Sequence, residues 1–367
     1  MSSIRTIFKS MIFLGGIVCT LVYLYSCLTP YISPIDWHYL SFAALFFPIV
    51  LVAMLGWTII AIIWFRKYSP VFVICLALGY QNIISVFGFH PGKDFQAQKD
   101  SGSIRVLSWN VNNFNTNATD KDPKALDMIQ FMQAQQPDII CLQDFSELHW
   151  GKFGPTIDSI KSFTGLPYHF FSEADANYGV IIFSRWPFLN RQSVPFTNIN
   201  LTESLQYADI QTPNKVLRVY NTHLASMNIH VEVMDETNVN QLKFLDRNKE
   251  ILMKKDKLYR MAFFDRLHVQ QAQMVKRSLD SSRLPFIFTA DLNSVPSSFV
   301  YQHLSKGLND AFLEKGFGFG RTYDSLSPTL RIDVLLTSKD ITTKQVKTPR
   351  IHESDHLPII TDIHLKP

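Results

Sequence analysis

Three uncharged apolar runs open the chain, and the pattern then changes to short apolar stretches that end in polar residues. Met11 to Leu28 (MIFLGGIVCTLVYLYSCL) approaches the length of a bilayer span, and Leu40 to Phe65 exceeds it with no charged residue. Val71 to Phe89 is a third run, broken only by the polar Gln81 and Asn82. A cleaved signal peptide accounts for the first run alone. The pattern therefore predicts a membrane anchor over 1–92, with spans near 11–28, 40–65 and 71–89. His90 to Ser103 is polar, holds two glycines and reads as a linker, assigned to 93–103.

Basic residues set the sidedness of such an anchor. Arg5 and Lys9 precede the first run and Arg66 and Lys67 follow the second, while Thr29 to His38 holds Asp36 and no Lys or Arg. Three spans with the N-terminus inside put the rest of the chain on the far side of the membrane. A third run that is only a buried or interfacial helix leaves it in the cytoplasm. The expectation is a multi-pass protein with an extracytoplasmic C-terminal domain.

Residues 104–367 suffice for one self-contained core. Ile104 to Val111 alternates as a strand does and delivers Asn110, Asn112 and Asn113. Pro123 to Gln135 has helical spacing with proline in the first turn. Ile139 to Leu142 is a buried-type strand delivering Gln143 and Asp144, with Glu147 beyond. Tyr178 to Phe183 reads as a strand running into Ser184, Arg185, Trp186 and Pro187. Val216 to Tyr220 leads to Asn221, Thr222 and His223. Pro285 to Ala290 delivers Asp291 and Asn293, two apart and so projecting to one side. Arg331 to Leu336 carries Asp333, and Asp355 and His356 open the last apolar run. Between these, Ala225 to Leu267 is a long Lys-rich connection read as a solvated helical insertion, with a substrate- or membrane-facing lid as the sharper alternative. A helix over Arg266 to Leu279 returns the chain to the sheet.

The chemistry of these strand ends is consistent. Carboxylates and amides are oxygen ligands suited to a hard divalent cation, and imidazoles beside carboxylates stabilise charge on a reacting phosphate. Asp291 is the candidate for positioning a water nucleophile, with Asn293 on a phosphoryl oxygen. Asn110, Asn221 and Arg185 are candidate substrate contacts, although Arg185 serves equally well in an ion pair. Composition adds little: a net charge of +4 does not by itself argue for nucleic acid. Eight basic and four acidic residues fall within Lys243 to Arg266, so the positive charge is partly local. Cys19, Cys27 and Cys75 lie in the apolar region and Cys141 in a strand, a spacing that offers neither a zinc site nor a disulfide in the soluble part.

Taken in order, Trp109-Asn110, Leu142-Gln143-Asp144, Ser184-Arg185-Trp186-Pro187, Asn221-Thr222-His223-Leu224, Ala290-Asp291-Leu292-Asn293, Arg331-Ile332-Asp333 and Ser354-Asp355-His356 resemble the endonuclease/exonuclease/phosphatase superfamily, the DNase I-like group. The match covers nearly all of residues 104–364. The resemblance implies an α/β fold, a four-layer sandwich of two mixed sheets flanked by helices. It implies that Asn110 and Asp144 hold Mg²⁺ (or Mn²⁺), with Asp355 in the metal or histidine environment. Asp291 would orient or deprotonate water, Asn293 would bind phosphate, and His223 and His356 would stabilise the phosphorus and leaving oxygen, with Asp333 paired to His356. One residue departs from the pattern: Asp144 stands where the group usually has Glu, one methylene longer. The reading is a membrane-anchored, divalent-metal-dependent phosphodiesterase. Nucleic acid is the first expected substrate; the headgroup of a phospholipid, cleaved as by a sphingomyelinase or phosphoinositide phosphohydrolase, is the second. A catalytically idle, membrane-tethered binding module is the alternative of another class. The lipid bilayer is the expected partner of the N-terminal helices, and no protein partner is predicted.

Overall fold

The computed structural model describes residues 2–91, 94–115, 123–147, 156–172, 178–196, 203–226, 257–324 and 327–366. Helix α1 (Ser2–Ser26) and helix α2 (His38–Trp64) run antiparallel. Tyr23 stacks on Phe47 at one end, and Phe13 meets Phe65 at the other. Gly16 permits the approach, because a Cβ there would sit 1.9 Å from the Trp57 ring. Apolar side chains such as Leu14, Val18, Ile49 and Ile63 remain exposed on the outside of the pair. The third apolar run is two helices, α3 (Ser69–Leu78) and α4 (Tyr80–Val86), bent by 57°. The bend falls at Gly79, where a Cβ would strike the Tyr23 hydroxyl at 1.9 Å. Two helices are thus long and apolar enough to span a membrane, and three crossings result if the bent pair counts as one.

Strand β1 (Gly88–Phe89) leaves the anchor and pairs with β11 (Phe317–Gly318) of the larger domain. That domain contains two six-stranded sheets. The first has the order β13 (Ile341–Lys347), β14 (Ile359–Leu365), β2 (Ile104–Asn110), β3 (Ile139–Ser146), β5 (Tyr178–Ser184) and β4 (Tyr168–Phe171). The second has β10 (Asn309–Asp310), β12 (Asp333–Thr337), β9 (Phe286–Asp291), β8 (Val216–His223), β7 (Ser204–Gln211) and β6 (Phe188–Pro195). In each sheet one pair is parallel, β2 with β3 and β8 with β9, and the remainder are antiparallel.

Strand periodicity builds the layers. Ile104, Val106, Ile139 and Cys141 face Leu217, Val219, Ile287 and Leu335 across the space between the sheets. The alternate residues Leu107, Ile140 and Leu142 turn outward against α5 (Pro123–Ala134) and α6 (Thr156–Thr164). Tyr220, Phe288 and Leu336 turn the other way, against α7 (Lys257–Ser281) and α8 (Phe299–Ser305). A short α9 (Ala311–Lys315) follows β10. Two sheets between two helical layers give the expected four-layer sandwich.

One boundary differs from the sequence reading. Helix α7 begins at Lys257, not Arg266, because the buried positions Ala262, Phe264, Leu267, Val269 and Ala272 continue one apolar face backward. The core of the predicted insertion, 227–256, and with it the lid, lies outside the described residues. The stretch 94–103 runs along the sandwich: Arg105 donates to the Gln96 and Ala97 carbonyls, and the Arg105 guanidinium lies 4.9 Å from the Phe95 ring centre.

Candidate active site

The same strand parity that builds the inter-sheet core aims the polar strand ends into it. Asn110 shares a side with Val106, Gln143 with Cys141, His223 with Val219, Asp291 with Ile287 and Asp333 with Leu335. The pairings put these ends at one edge: Asp333 faces Asp291, His223 faces Asp291, and Asn110 faces Gln143. Asp144 has the opposite parity and should point into the helix layer. A register shift between Leu142 and Phe145, with Asp144 at a φ of +47°, returns its carboxylate to the cluster. Asn112 and Asn293 at the same edge also have positive φ, 43° and 47°. Three strained residues at one edge fit a site whose geometry is held by its surroundings.

Asn110 Nδ2 donates to Asp144 Oδ2 at 3.1 Å and to Asp291 Oδ2 at 2.9 Å. His223 Nδ1 lies 3.0 Å from Asp144 Oδ1, and the Tyr178 hydroxyl donates to that same oxygen. His223 Nε2 sits between Asn293 Nδ2 at 3.0 Å and Asp291 Oδ2 at 3.5 Å. Neutral, it accepts from the amide; protonated, it donates to the carboxylate. Burial opposes charge on this ring, but Asp144, Asp291 and Glu203 outweigh it and raise its pKa to about 10. Burial would likewise raise Asp144, yet His223, Tyr178 and Asn110 hold it well below the usual carboxylate range.

His356 Nδ1 pairs with Asp333 Oδ2 at 3.0 Å and lies 3.7 Å from Asp291. Against the effect of burial, Asp333 and Asp291 raise this imidazole to about 9, so it is an imidazolium at neutral pH. The Asp333 backbone is held by Thr322, whose Oγ1 accepts from the Ile332 and Asp333 amides at 3.0 Å. The His356 backbone is fixed by Trp109 Nε1 on its carbonyl and Ser354 Oγ on its amide. Asp355 is half-buried and accepts from Asn112 Nδ2 at 2.9 Å, beside the cluster rather than in it.

Two expected contacts are not brought to this edge as substrate groups. Arg185 lies beyond the end of β5, where Ser184 faces the start of β3, so it is at the opposite end of the sheet. There its Nε pairs with Asp138 at 2.8 Å. Asn221 has the right parity but lies two residues deeper. Its oxygen accepts from Gln143 and Thr289, and its nitrogen donates to the Leu142 and Ile181 carbonyls. It is a fully buried polar tie between the sheets, satisfied by protein.

Sequence reading singled out neither Tyr178, Thr322, Glu203 nor His268. Tyr178 opens an antiparallel strand beside β3, a signal visible only once that pairing is known. His268 is fully buried on α7; its Nε2 meets the Ala225 carbonyl at 2.6 Å and its Nδ1 meets Ser294 Oγ at 3.3 Å, tying the exits of β8 and β9 together. Burial pushes its pKa down to about 4, so it is neutral.

The donor set fits a hard divalent cation. Ligand atoms of Asp291, Asp333 and His356 lie within 4.8 Å of one another, and Asp144 joins them through the Asn110 amide. The group that could hold an ion is therefore Asp291, Asp333 and His356, whereas the expected set was Asn110, Asp144 and Asp355.

Comparison with known proteins agrees with this geometry. Residues 107–356 match the Endonuclease/Exonuclease/phosphatase family, and residues 9–86 match a domain of unknown function. No curated protein matches. Among solved structures, an endonuclease/exonuclease/phosphatase from Bacteroides vulgatus is 14% identical, with a TM-score of 0.51 over 72% of this chain and 99% of its own. A mannosyl-6-phosphatase from Bacteroides thetaiotaomicron is 15% identical, with a TM-score of 0.51 over 71% and 99%. D. rerio TDP2 complexed with a single-strand DNA product is 17% identical, with a TM-score of 0.50 over 72% and 100%. At these identities the likeness is one of fold. The family match spans most of the chain and includes each strand end that builds the cluster, so this protein belongs to the endonuclease/exonuclease/phosphatase family of phosphoric ester hydrolases.

Proposed function

We propose that this chain is a membrane-anchored, divalent-metal-dependent phosphoester hydrolase that takes its substrate at the bilayer surface, a phospholipid headgroup being the substrate class. One observation carries the choice. The Tyr323 ring centre lies 4.8 Å from that of His356, and Tyr323 packs against the small apolar cluster that Ala44 of α2 shares with Val295, Leu330 and Ile332, so one cluster and one ring connect the N-terminal helices to the His356 imidazole. The loop after Asp291 is also tied to the anchor, through Thr29 Oγ1 to the Ser297 carbonyl at 2.6 Å and Ser297 Oγ to the Ala44 carbonyl at 2.8 Å. Tyr31, Ile35 and Trp37 stand exposed between α1 and α2, a composition suited to the headgroup layer.

In this reading Asp291 accepts a proton from the attacking water, and the Asn293 amide and the His223 ring face the phosphoryl group. The His356 imidazolium, oriented by Asp333, donates toward the developing negative charge. Asn110, Asp144, Asp291 and Asp333 would hold Mg²⁺ or Mn²⁺, which when bound polarises the phosphoryl oxygens and lowers the pKa of water. The catalytic domain is extracytoplasmic in the same reading: α1 leads toward it, α2 away, and α3 with α4 back, leaving Lys9, Arg66 and Lys67 at the far end.

Nucleic acid, the first expectation from the breadth of the superfamily, becomes the second reading. TDP2 with its DNA product has the same fold, which supports the reaction type more than the substrate. The deciding experiment uses the full chain in nanodiscs with Mg²⁺ or Mn²⁺, offered mixed phospholipid vesicles and supercoiled plasmid in parallel with Asp291→Ala. Headgroup release by wild type alone is the expected result. Plasmid nicking without headgroup release would overturn the lipid assignment in favour of a nuclease, and turnover of neither by wild type would favour an idle binding module.

A further inference from the structure

Helix α7 presents His268 and Gln271 to the exits of β8 and β9. The two residues are three apart and so share a helical face, and both are fully buried. Gln271 Oε1 accepts from the Ala225 amide at 3.1 Å, and His268 Nε2 lies 2.6 Å from the Ala225 carbonyl. On the other side of the ring, His268 Nδ1 meets Ser294 Oγ at 3.3 Å. A carbonyl only accepts, so Nε2 carries the proton and Nδ1 keeps a lone pair for the serine hydroxyl. A neutral imidazole does both at once, and burial, which pushes its pKa down to about 4, keeps it neutral.

These bonds act on the peptides that place Asn293. The Leu224 carbonyl and the Ala225 amide belong to one planar unit, so Gln271, by holding the N–H, also aims the C=O. That carbonyl accepts from Asn293 Nδ2 at 2.9 Å, which leaves the second proton of the same nitrogen for the side where His223 Nε2 lies at 3.0 Å. His268 holds the next peptide through the Ala225 carbonyl, and the same ring holds Ser294, the residue after Asn293. Asn293 keeps its φ of +47° between these supports. The strand exits are also joined by the Leu224 amide on the Asp291 carbonyl at 2.9 Å, but that backbone bond orients no side chain.

We propose that His268 and Gln271 are positioning residues for the hydrolysis: from α7 they fix the direction of the Asn293 amide beside His223. This rests on the role given to Asn293 above. Neither residue touches the phosphoryl group or the proton that moves. They act through the 224–226 peptides and Ser294, and so make a helix outside both sheets a part of the active site.

The test is a double-mutant cycle on kcat, using the full chain in nanodiscs with Mg²⁺ or Mn²⁺ and bis(p-nitrophenyl) phosphate as the probe. His268→Leu keeps the bulk but neither donates nor accepts, and should lower kcat about 30-fold, the scale of a misplaced catalytic group. KM should change less than about twofold. His268→Gln, whose Nε2 can still donate to the Ala225 carbonyl, should recover most of the loss. In an Asn293→Ala background the same His268→Leu change should lower kcat less than about threefold, since the amide it positions is gone. An equal loss in both backgrounds overturns the proposal, as does wild-type kcat in folded His268→Leu. Where His268→Leu does not fold, Gln271→Met carries the same cycle: about a tenfold loss alone and almost none beside Asn293→Ala, with equal losses again overturning the proposal. Wild-type kcat in Asn293→Ala, or a wild type without turnover, overturns the role of Asn293 itself, an outcome distinct from an additive cycle.

Discussion

Asn110 at the end of β2 donates its side-chain amide to Asp291 at the end of β9 over 2.9 Å, joining strand exits that belong to different sheets. The same nitrogen reaches Asp144 on β3, so one amide orients two carboxylates. Asp291 also accepts the Asn293 amide on its other oxygen, which leaves it held from both sides and nearly fully buried. A base fixed in this way needs no reorganisation before it takes a proton.

Asp291→Ala should therefore lower kcat by roughly 10³-fold, within the range of a lost general base. Asn110→Ala should lower it less, by about 10²-fold, because the acids remain but lose their common donor. Single-turnover rates on a phosphodiester substrate, with circular dichroism to verify folding, check both. Equal rates in Asp291→Ala and wild type would falsify the assignment of the base.

The Asp333–His356 pair predicts a pH signature. The pairing, together with Asp291, keeps the imidazolium protonated up to about 9. Replacing the carboxylate in Asp333→Asn removes the favourable charge, so the ring loses its proton at lower pH. The alkaline limb of the kcat profile should move down toward the ordinary histidine range, near 6.5. An unmoved limb in a folded variant would mean that His356 does not act as the imidazolium.

The strand ends were legible because a polar residue closing an apolar run has few structural reasons to be there: Asn110, His223, Asp291 and Asp333 were all identifiable in this way. Asn221 shows the limit of that logic. It too closes an apolar run, yet it falls two residues short of the rim, and only the pairing of β8 with β7 and β9 reveals that depth. Arg185 fails for a related reason, since β5 runs antiparallel to β3 and its end is the far end of the sheet. Motif and parity disagree about where Asp144 points, and a bulge brings its carboxylate to the cluster. Tyr178, Thr322 and Glu203 acquire meaning from strands or turns beside them that are remote in sequence. The two helices long and apolar enough to cross a membrane were legible from length and lack of charge, but the bend at Gly79 depends on Tyr23, more than fifty residues earlier.

Stability in the absence of metal should depend on pH through the two imidazoles. Both pKa values are raised, to about 10 for His223 and about 9 for His356. A group whose folded pKa exceeds its unfolded value contributes stability that is complete below the unfolded pKa, near 6.5, and is lost as pH rises through the folded value. In EDTA the thermal midpoint should thus fall by several degrees between pH 6.5 and 10. Asp144→Asn should flatten that fall, because it removes the charge that holds the His223 proton. Scanning calorimetry across the range distinguishes this from a general alkaline loss common to both proteins.

Arg331, which opens the Asp333 motif, has a structural role that the motif does not suggest. It is 2% exposed; its Nη1 pairs with Asp310 at 2.6 Å and its Nη2 donates to the Ser85 carbonyl at the end of α4 at 2.8 Å. One guanidinium therefore fastens the anchor to the strand that carries Asp333. Arg331→Ala should cost about 3–5 kcal/mol, as expected when one member of a buried pair is removed. Arg331→Lys should recover little of it, since an ammonium cannot reproduce the planar fork. Chemical denaturation of the full chain in detergent measures both.

The last prediction concerns the side of the membrane. Thr29, Ser41 and Ala44 all contact the catalytic domain, through the Ser297 carbonyl, Asp265 and Ser297 Oγ respectively, so the turn between α1 and α2 is at the catalytic end. Phe13 against Phe65 and Tyr68 marks the opposite end, next to Arg66 and Lys67. Ser85 and Gly88 are again at the catalytic end, where they meet Arg331 and Gly318. If the bent pair α3 and α4 counts as one crossing, three passes would put the basic residues and the catalytic domain on opposite faces, and basic residues favour the cytoplasm. A single cysteine introduced as Lys339→Cys, on the exposed surface of the catalytic domain, should then react with a membrane-impermeant maleimide on intact cells. Lys67→Cys should react only after the membrane is opened. The native cysteines are a small background, since Cys27 and Cys141 are buried and Cys19 and Cys75 lie within the apolar helices. The reverse labelling pattern would put the site in the cytoplasm, and with it the phosphoester pool on which the enzyme acts.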